Sequence, residues 1–129
     1  EKDADALDHA ASWLKFLHIL DLADEPVENL TMATRKKVEI ARALATRPKL
    51  LLLDEVMAGL NATEIEEMIH IIGKIKEKEI SVILIEHHMQ AVMNLSDRIV
   101  AIHYGQKIAE GPPEAIAHDP KVIEAYLGE

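Results

Sequence analysis

Four consecutive leucines, Leu50-Leu51-Leu52-Leu53, run straight into Asp54-Glu55, with Pro48 before them and Ala58-Gly59-Leu60-Asn61 after. An apolar run this short, punctuated on both sides, is too brief for a typical helix and predicts a parallel strand covered on both faces. In open α/β sheets, ligands sit at the carboxyl ends of such strands, which is where Asp54 and Glu55 fall. An Asp there can hold Mg²⁺, and a neighbouring Glu can orient or deprotonate a water that attacks a phosphate. On these six residues alone, an acidic loop after an ordinary strand fits equally well.

The flanking sequence supplies the partners such a strand needs. Thr63 to Lys76 carries Ile65, Met68, Ile69, Ile72 and Ile75 at helical spacing, and Ser81 to Ile85 is β-rich, so Leu50 to Ile85 predicts a strand-helix-strand unit closed as a parallel right-handed crossover. Upstream, Leu7, Ala10, Ala11, Leu14 and Leu17 predict an amphipathic helix from about Asp3 to Leu22, stopped by Asp24-Glu25-Pro26. A second helix is expected from Ala33 to Ala45, with Val38, Ile40, Ala41, Leu44 and Ala45 on its buried side. Downstream come a short helix over Met89 to Leu95, a hairpin of Arg98 to His103 with Gln106 to Ala109 turning at Tyr104-Gly105, and two short helices over Pro113 to Ala117 and Lys121 to Leu127.

Composition narrows the function. Of the 129 residues 49% are hydrophobic, enough for one core, and no apolar stretch approaches the roughly 20 residues of a membrane span. A soluble, intracellular chain is the expectation. The absence of cysteine excludes disulfides and thiolate metal sites. A net charge of −9, from 14 basic and 23 acidic side chains, argues against nucleic acid as a partner.

The order of motifs is more specific than any one of them. Asn29-Leu30-Thr31-Met32-Ala33-Thr34-Arg35-Lys36-Lys37-Val38-Glu39-Ile40-Ala41-Arg42-Ala43-Leu44 precedes the strand, and Ile83-Leu84-Ile85-Glu86-His87 follows Ala58 to Asn61. This order resembles the carboxyl half of an ABC-transporter ATPase subunit: signature loop and helix, Walker B strand, D-loop, switch histidine. The tail, through Leu95-Ser96-Asp97-Arg98-Ile99-Val100, Lys107-Ile108-Ala109-Glu110-Gly111 and Val122-Ile123-Glu124-Ala125-Tyr126-Leu127-Gly128, is similar to the ATPases of branched-chain amino acid importers.

The resemblance implies an α/β fold: a partial P-loop NTPase (RecA-like) parallel-sheet core preceded by part of the ABC helical subdomain. Residues 1–47 would belong to that subdomain, 48–111 to the carboxyl half of the ATPase core and 112–129 to a helical tail. Asp54 would hold Mg²⁺, Glu55 would act as general base, and His87 would contact the γ-phosphate. Thr31, Met32, Ala33, Thr34 and Asn61 would contact the nucleotide or the partner across a dimer. The implied ligands are ATP and Mg²⁺. The implied partners are a second ATPase subunit and membrane permease subunits that dock at the helical subdomain, on the cytoplasmic face of the membrane. His88, where relatives often carry Asp, is expected to be a surface side chain, and adjacent residues such as His87 and His88 do not converge on one ion without further ligands.

Several positions depart from the family pattern. Leu30-Thr31-Met32-Ala33-Thr34 stands where Leu-Ser-Gly-Gly-Gln is usual, which removes both glycines and the backbone freedom to approach a phosphate. Arg35, Lys36 and Lys37 put three cations at the positive end of a helix dipole, disfavoured unless an anion docks there, although a solvated basic turn is the alternative. Asn61 replaces the usual Asp and opens Asn61-Ala62-Thr63-Glu64, a plausible helix cap. Val56 replaces Pro.

Gly59, Gly73, Gly105, Gly111 and Gly128 fit no phosphate-loop spacing, and Gly73-Lys74 runs into Ile75 within a helix. The phosphate loop, adenine-stacking residue and Q-loop of the family would lie upstream of Glu1. The expectation is therefore a carboxyl-terminal part of a larger subunit that binds ATP weakly or not at all by itself. A non-catalytic interaction module, or an ABC protein outside transport, is the alternative.

Overall fold

The computed structural model describes residues 2–127, and the chain divides into two compact units, Glu1–Ile85 and Glu86–Glu129.

In the first unit, β1 (Leu50–Asp54) pairs in parallel with β2 (Ser81–Ile85) through α3 (Ala62–Glu77), the expected strand-helix-strand order. The register runs from Leu50 opposite Ser81 to Asp54 opposite Ile85, so the two strands end level. Leu51, Leu53 and Met57 are buried, as are Ile65, Met68, Ile71, Ile72 and Ile75 of α3. Ile69, expected on the buried stripe, is only half-buried, and Ile71 takes a fully buried place instead.

One expectation fails at the strand itself. Leu50 is 49% exposed and Leu52 67%, with Ile83 and Ile85 exposed beside them, so the pair is covered on one face, not two. Successive side chains of a strand point to opposite faces, and among the described residues nothing covers the second face.

Helix α1 (Lys2–Phe16) is shorter than predicted. It ends where His18 enters the left-handed region at φ 60°; His18 N donates to Lys15 O (3.0 Å) and Ile19 N to Leu14 O (2.9 Å), the paired bonds of a Schellman cap. Glycine usually takes this position, and its absence hid the stop. Single-turn 3₁₀ segments follow at Leu20–Leu22 and Val27–Asn29. No side chain of α1 is buried: Leu7 is 70% exposed, while Leu17 and Ile19 just beyond the helix are buried. The helix packs on α2 (Met32–Ala45), with a His9 ring nitrogen bonded to Ala45 O at 3.2 Å. On α2 the buried side is Ala33, Lys37, Ile40, Ala41 and Leu44; Val38 and Ala45 are half-buried, and a lysine takes a buried place beside the apolar residues.

The second unit holds α4 (Met89–Leu95) and an antiparallel hairpin of β3 (Ile99–His103) and β4 (Gln106–Gly111). Tyr104 and Gly105 both take positive φ, 46° and 74°, the geometry of a two-residue hairpin turn whose twist matches the strands. Pairing continues to Gly111 opposite Ile99, two residues past the expected end, and stops at Pro112, which has no N–H to give. Ile99 and Ala101 pack with Ile116 of α5 (Pro113–Ala117) and Val122 of α6 (Pro120–Val122). A π-helical turn, Ile123–Leu127, replaces the last stretch of the predicted helix, and Gly128 lies outside the described residues.

Candidate functional site

Two elements meet at the carboxyl end of β1. Asp54 closes the strand, exposed, opposite Ile85. Glu55 follows in the left-handed region at φ 50°, its N–H donating to Ile85 O at 2.8 Å. Such a conformation is unfavourable for a residue with a Cβ, so the chain leaves the strand through a strained corner. Ala58 N then donates to Glu55 O and Leu60 N to Met57 O, both at 3.2 Å, which closes a compact turn anchored by the buried Met57.

The turn delivers the chain to Asn61, which caps α3. Asn61 Oδ1 accepts from Glu64 N and Glu64 Oε2 accepts from Asn61 N, each at 2.9 Å, a complete capping box. The cap that the sequence offered as one role for Asn61 is thus present.

Thr31 does the same for α2. Its hydroxyl accepts from Thr34 N (3.2 Å) and bonds the Thr34 hydroxyl (2.9 Å), so Thr31 to Thr34 form the cap and first turn of the helix. Ala33 is buried under that turn while Met32 is 57% exposed. Met32 reaches the acidic turn: a Cβ built on Gly59 would lie 2.7 Å from Met32 Sδ, and Gly59 itself has φ 77°. Glycine is thus favoured at 59, while the family's glycine position at 32 holds the side chain that rests on it.

The three cations of α2 do not stand open. Arg35 donates to Val27 O (3.2 Å) and Glu28 O (3.1 Å), Lys36 Nζ to Val56 O (3.1 Å) and Ala58 O, and Lys37 Nζ to Glu67 Oε1 (2.7 Å) on α3. The cost of three positive charges near a helix N-terminus is offset by carbonyl oxygens and a carboxylate of the chain itself, so the basic turn is neither purely solvated nor in need of an outside anion to form.

His87 falls in the second unit. It is exposed, two residues past β2, and lines a cavity of about 50 Å³ with Val92, Ile99, Ile116 and Tyr126 among others. His88 differs from its expectation as a surface side chain: half-buried, it caps α4, with Nδ1 accepting from Ala91 N at 3.4 Å. Among the described residues no three His, Asp or Glu side chains cluster as a ready-made metal cage.

The geometry therefore sets an acidic pair at an open strand end, on a turn joined to two capped helices. Comparison with known proteins decides the family. An ABC transporter family model matches residues 1–58, and a branched-chain amino acid ATP-binding cassette transporter model matches residues 106–129. The chain belongs to the ABC transporter ATP-binding family. The high-affinity branched-chain amino acid transport ATP-binding protein BraF of Pseudomonas aeruginosa is 41% identical over 128 residues, covering 98% of this chain and 50% of that protein. LivG of Escherichia coli is 42% identical over 127 residues, with 98% and 50% covered. The solved ADP conformation of an ATP-binding cassette superposes with a TM-score of 0.86 at 34% identity, covering 97% of this chain and 51% of that one. CbiO1 of Clostridium perfringens, described as part of an ABC transporter complex, gives 0.82 at 28%, with 95% and 49% covered. The chain spans about half the length of the curated relatives it matches. The fold is that of an ABC cassette, a partial P-loop NTPase whose parallel pair lies in the first unit.

Proposed function

We propose that these residues act as the carboxyl-terminal half of an ABC ATPase subunit that couples ATP hydrolysis to import of branched-chain amino acids. The observation that carries the reading is the exposed Asp54-Glu55 pair at the end of a parallel strand, on a turn joined directly to the start of the signature helix. In this reading residues 1–47 belong to the helical subdomain, 48–111 to the ATPase core and 112–129 to the tail. Permease subunits contact the helical subdomain, and a second ATPase subunit faces the signature loop, on the cytoplasmic side of a membrane. No helix among the described residues is long and apolar enough to cross one.

The substrate is ATP with its Mg²⁺. One exposed carboxylate, Asp54, suits a cation that is held by one or two protein oxygens and otherwise by phosphates and water. When bound, the metal neutralises charge on the phosphate oxygens. Glu55 accepts the proton of the attacking water at a carboxylate oxygen, and a ring N–H of His87 donates a hydrogen bond to the γ-phosphate. The Thr31 to Thr34 turn faces the nucleotide of the partner subunit with the N–H groups of Met32 and Ala33, the Thr34 N–H and both hydroxyls being engaged in the cap, and Asn61 borders that interface.

The exposed aliphatic face of Leu50, Leu52, Ile83 and Ile85 supports the same reading. Parallel strands are buried on both faces in α/β proteins, so this face requires a cover, which the amino-terminal half of the cassette provides. By itself the chain is then expected to bind Mg-ATP weakly or not at all and to hydrolyse none. Calorimetry tests this on the 129 residues and on the chain joined to the amino-terminal half of LivG. Binding only by the joined protein supports the reading, whereas tight binding by the chain alone sinks it. In the joined protein Glu55→Gln is expected to lower turnover by roughly 10²–10⁴-fold with binding retained; unchanged turnover leaves only a non-catalytic module.

A further inference from the structure

The lysine at the start of the signature helix is fastened to the turn that carries the acids. Lys36 Nζ, half-buried, sits on Val56 O at 3.1 Å and on Ala58 O, carbonyls 20 and 22 residues downstream. These carbonyls flank the buried Met57 and follow directly on Glu55, whose left-handed backbone persists only where its surroundings fix it. Hydrogen bonds from a charged donor are roughly twice as strong as neutral ones, and two of them on alternate carbonyls fix the path of the turn. Met32 Sδ also lies against Gly59, a residue of the same turn. The far side of the corner is held by Glu55 N on Ile85 O.

We propose that Lys36 is a positioning residue: its ammonium, seated on Val56 O and Ala58 O, sets the direction of the Glu55 carboxylate by the position of the first turn of α2. The proposal rests on the reading of Glu55 as general base. Any displacement of the signature loop moves the carbonyl frame around that base within the same chain. A contact of the loop with a nucleotide or a partner therefore reaches the acid without passing through the core of the sheet.

The experiment uses the chain joined to the amino-terminal half of LivG, with Lys36→Met, which keeps the length of the stem, and Lys36→Arg, which restores a cation. Lys36→Met is expected to lower kcat about tenfold or more with KM within about twofold, and Lys36→Arg to recover most of the loss. Hydrogen exchange at the Ala58 and Leu60 amides is expected to quicken in Lys36→Met, with the Leu51 and Leu53 amides of β1 unchanged. A kcat within about twofold of the parent, or no recovery in Lys36→Arg, overturns the proposal. So does exchange that is unchanged at Ala58 and Leu60 or quickened throughout the sheet, the mark of general destabilisation. If the parent joined protein hydrolyses no ATP, the functional reading fails on that result, while exchange still decides whether Lys36 holds the turn.

Discussion

The starts of α2 and α3 solve the same problem in opposite ways. Each must satisfy the free N–H groups of a first turn and suit the positive end of a helix dipole. At α3 everything is local: Asn61 and Glu64 exchange side-chain and backbone bonds within four residues, and Glu64 brings a negative charge to the first turn. At α2 only the Thr31 cap is local. Its first turn has no acid, and Arg35, Lys36 and Lys37 must find acceptors 7 to 30 residues away. A helix start that is complete within itself is a fixed part. One completed by the 3₁₀ segment, the acidic turn and α3 is a junction, and movement of any of its partners is felt there.

The largest effect of breaking the junction belongs to Lys37, a buried charged side chain of the first unit. Lys37→Met keeps the packed stem but loses the 2.7 Å bond to Glu67. Urea unfolding is expected to show a loss of about 2 kcal/mol, below the full cost of a stranded buried charge because Glu67, 43% exposed, can return to water. A double-mutant cycle with Glu67→Gln isolates the pair, and a coupling near zero would reduce the junction to its carbonyl contacts.

Gly59→Ala comes next, at about 1 kcal/mol, because φ 77° disfavours any Cβ. The clash with Met32 Sδ adds little by itself, since the exposed thioether can swing away. A second substitution, Met32→Ala, separates the two effects. If Gly59→Ala costs the same with and without Met32, the penalty is backbone strain alone, and the Met32 contact holds nothing.

The contrast between the helix starts also marks what the sequence made legible. Periodicity and turn residues act over a few positions, so Ser81–Ile85 and Met89–Leu95 appear where predicted, and the Asn61 cap could be read from four letters. The seat of Lys36 depends on a fold that brings Val56 and Ala58 to it, and no local pattern encodes a carbonyl acceptor. Basic residues at 35–37 read as a docking place for an anion because their internal partners lie far along the chain. The early stop of α1 escaped for another reason: His18 fills a left-handed position where glycine would have announced the cap. Four leucines read as buried on both faces, whereas the described residues cover one.

The smallest predicted effect, that of Thr31→Ala, sharpens the comparison most directly when set beside Asn61→Ala. Asn61→Ala removes both the side-chain acceptor and the geometry that keeps Glu64 on the Asn61 N–H, and is expected to cost about 1 kcal/mol in urea unfolding. Thr31→Ala removes one acceptor for Thr34 N at 3.2 Å and a hydroxyl contact at 2.9 Å, for about 0.5 kcal/mol, since α2 is also held through Arg35, Lys36 and Lys37. Both helix starts belong to the first unit, so one unfolding signal reports on both. Equal losses would mean that the distant partners of α2 add nothing its cap does not supply. A larger loss at Asn61 than at Thr31 is the signature of one start built locally and another built by the fold, and with Lys37→Met in the background the Thr31 loss should rise toward that of Asn61.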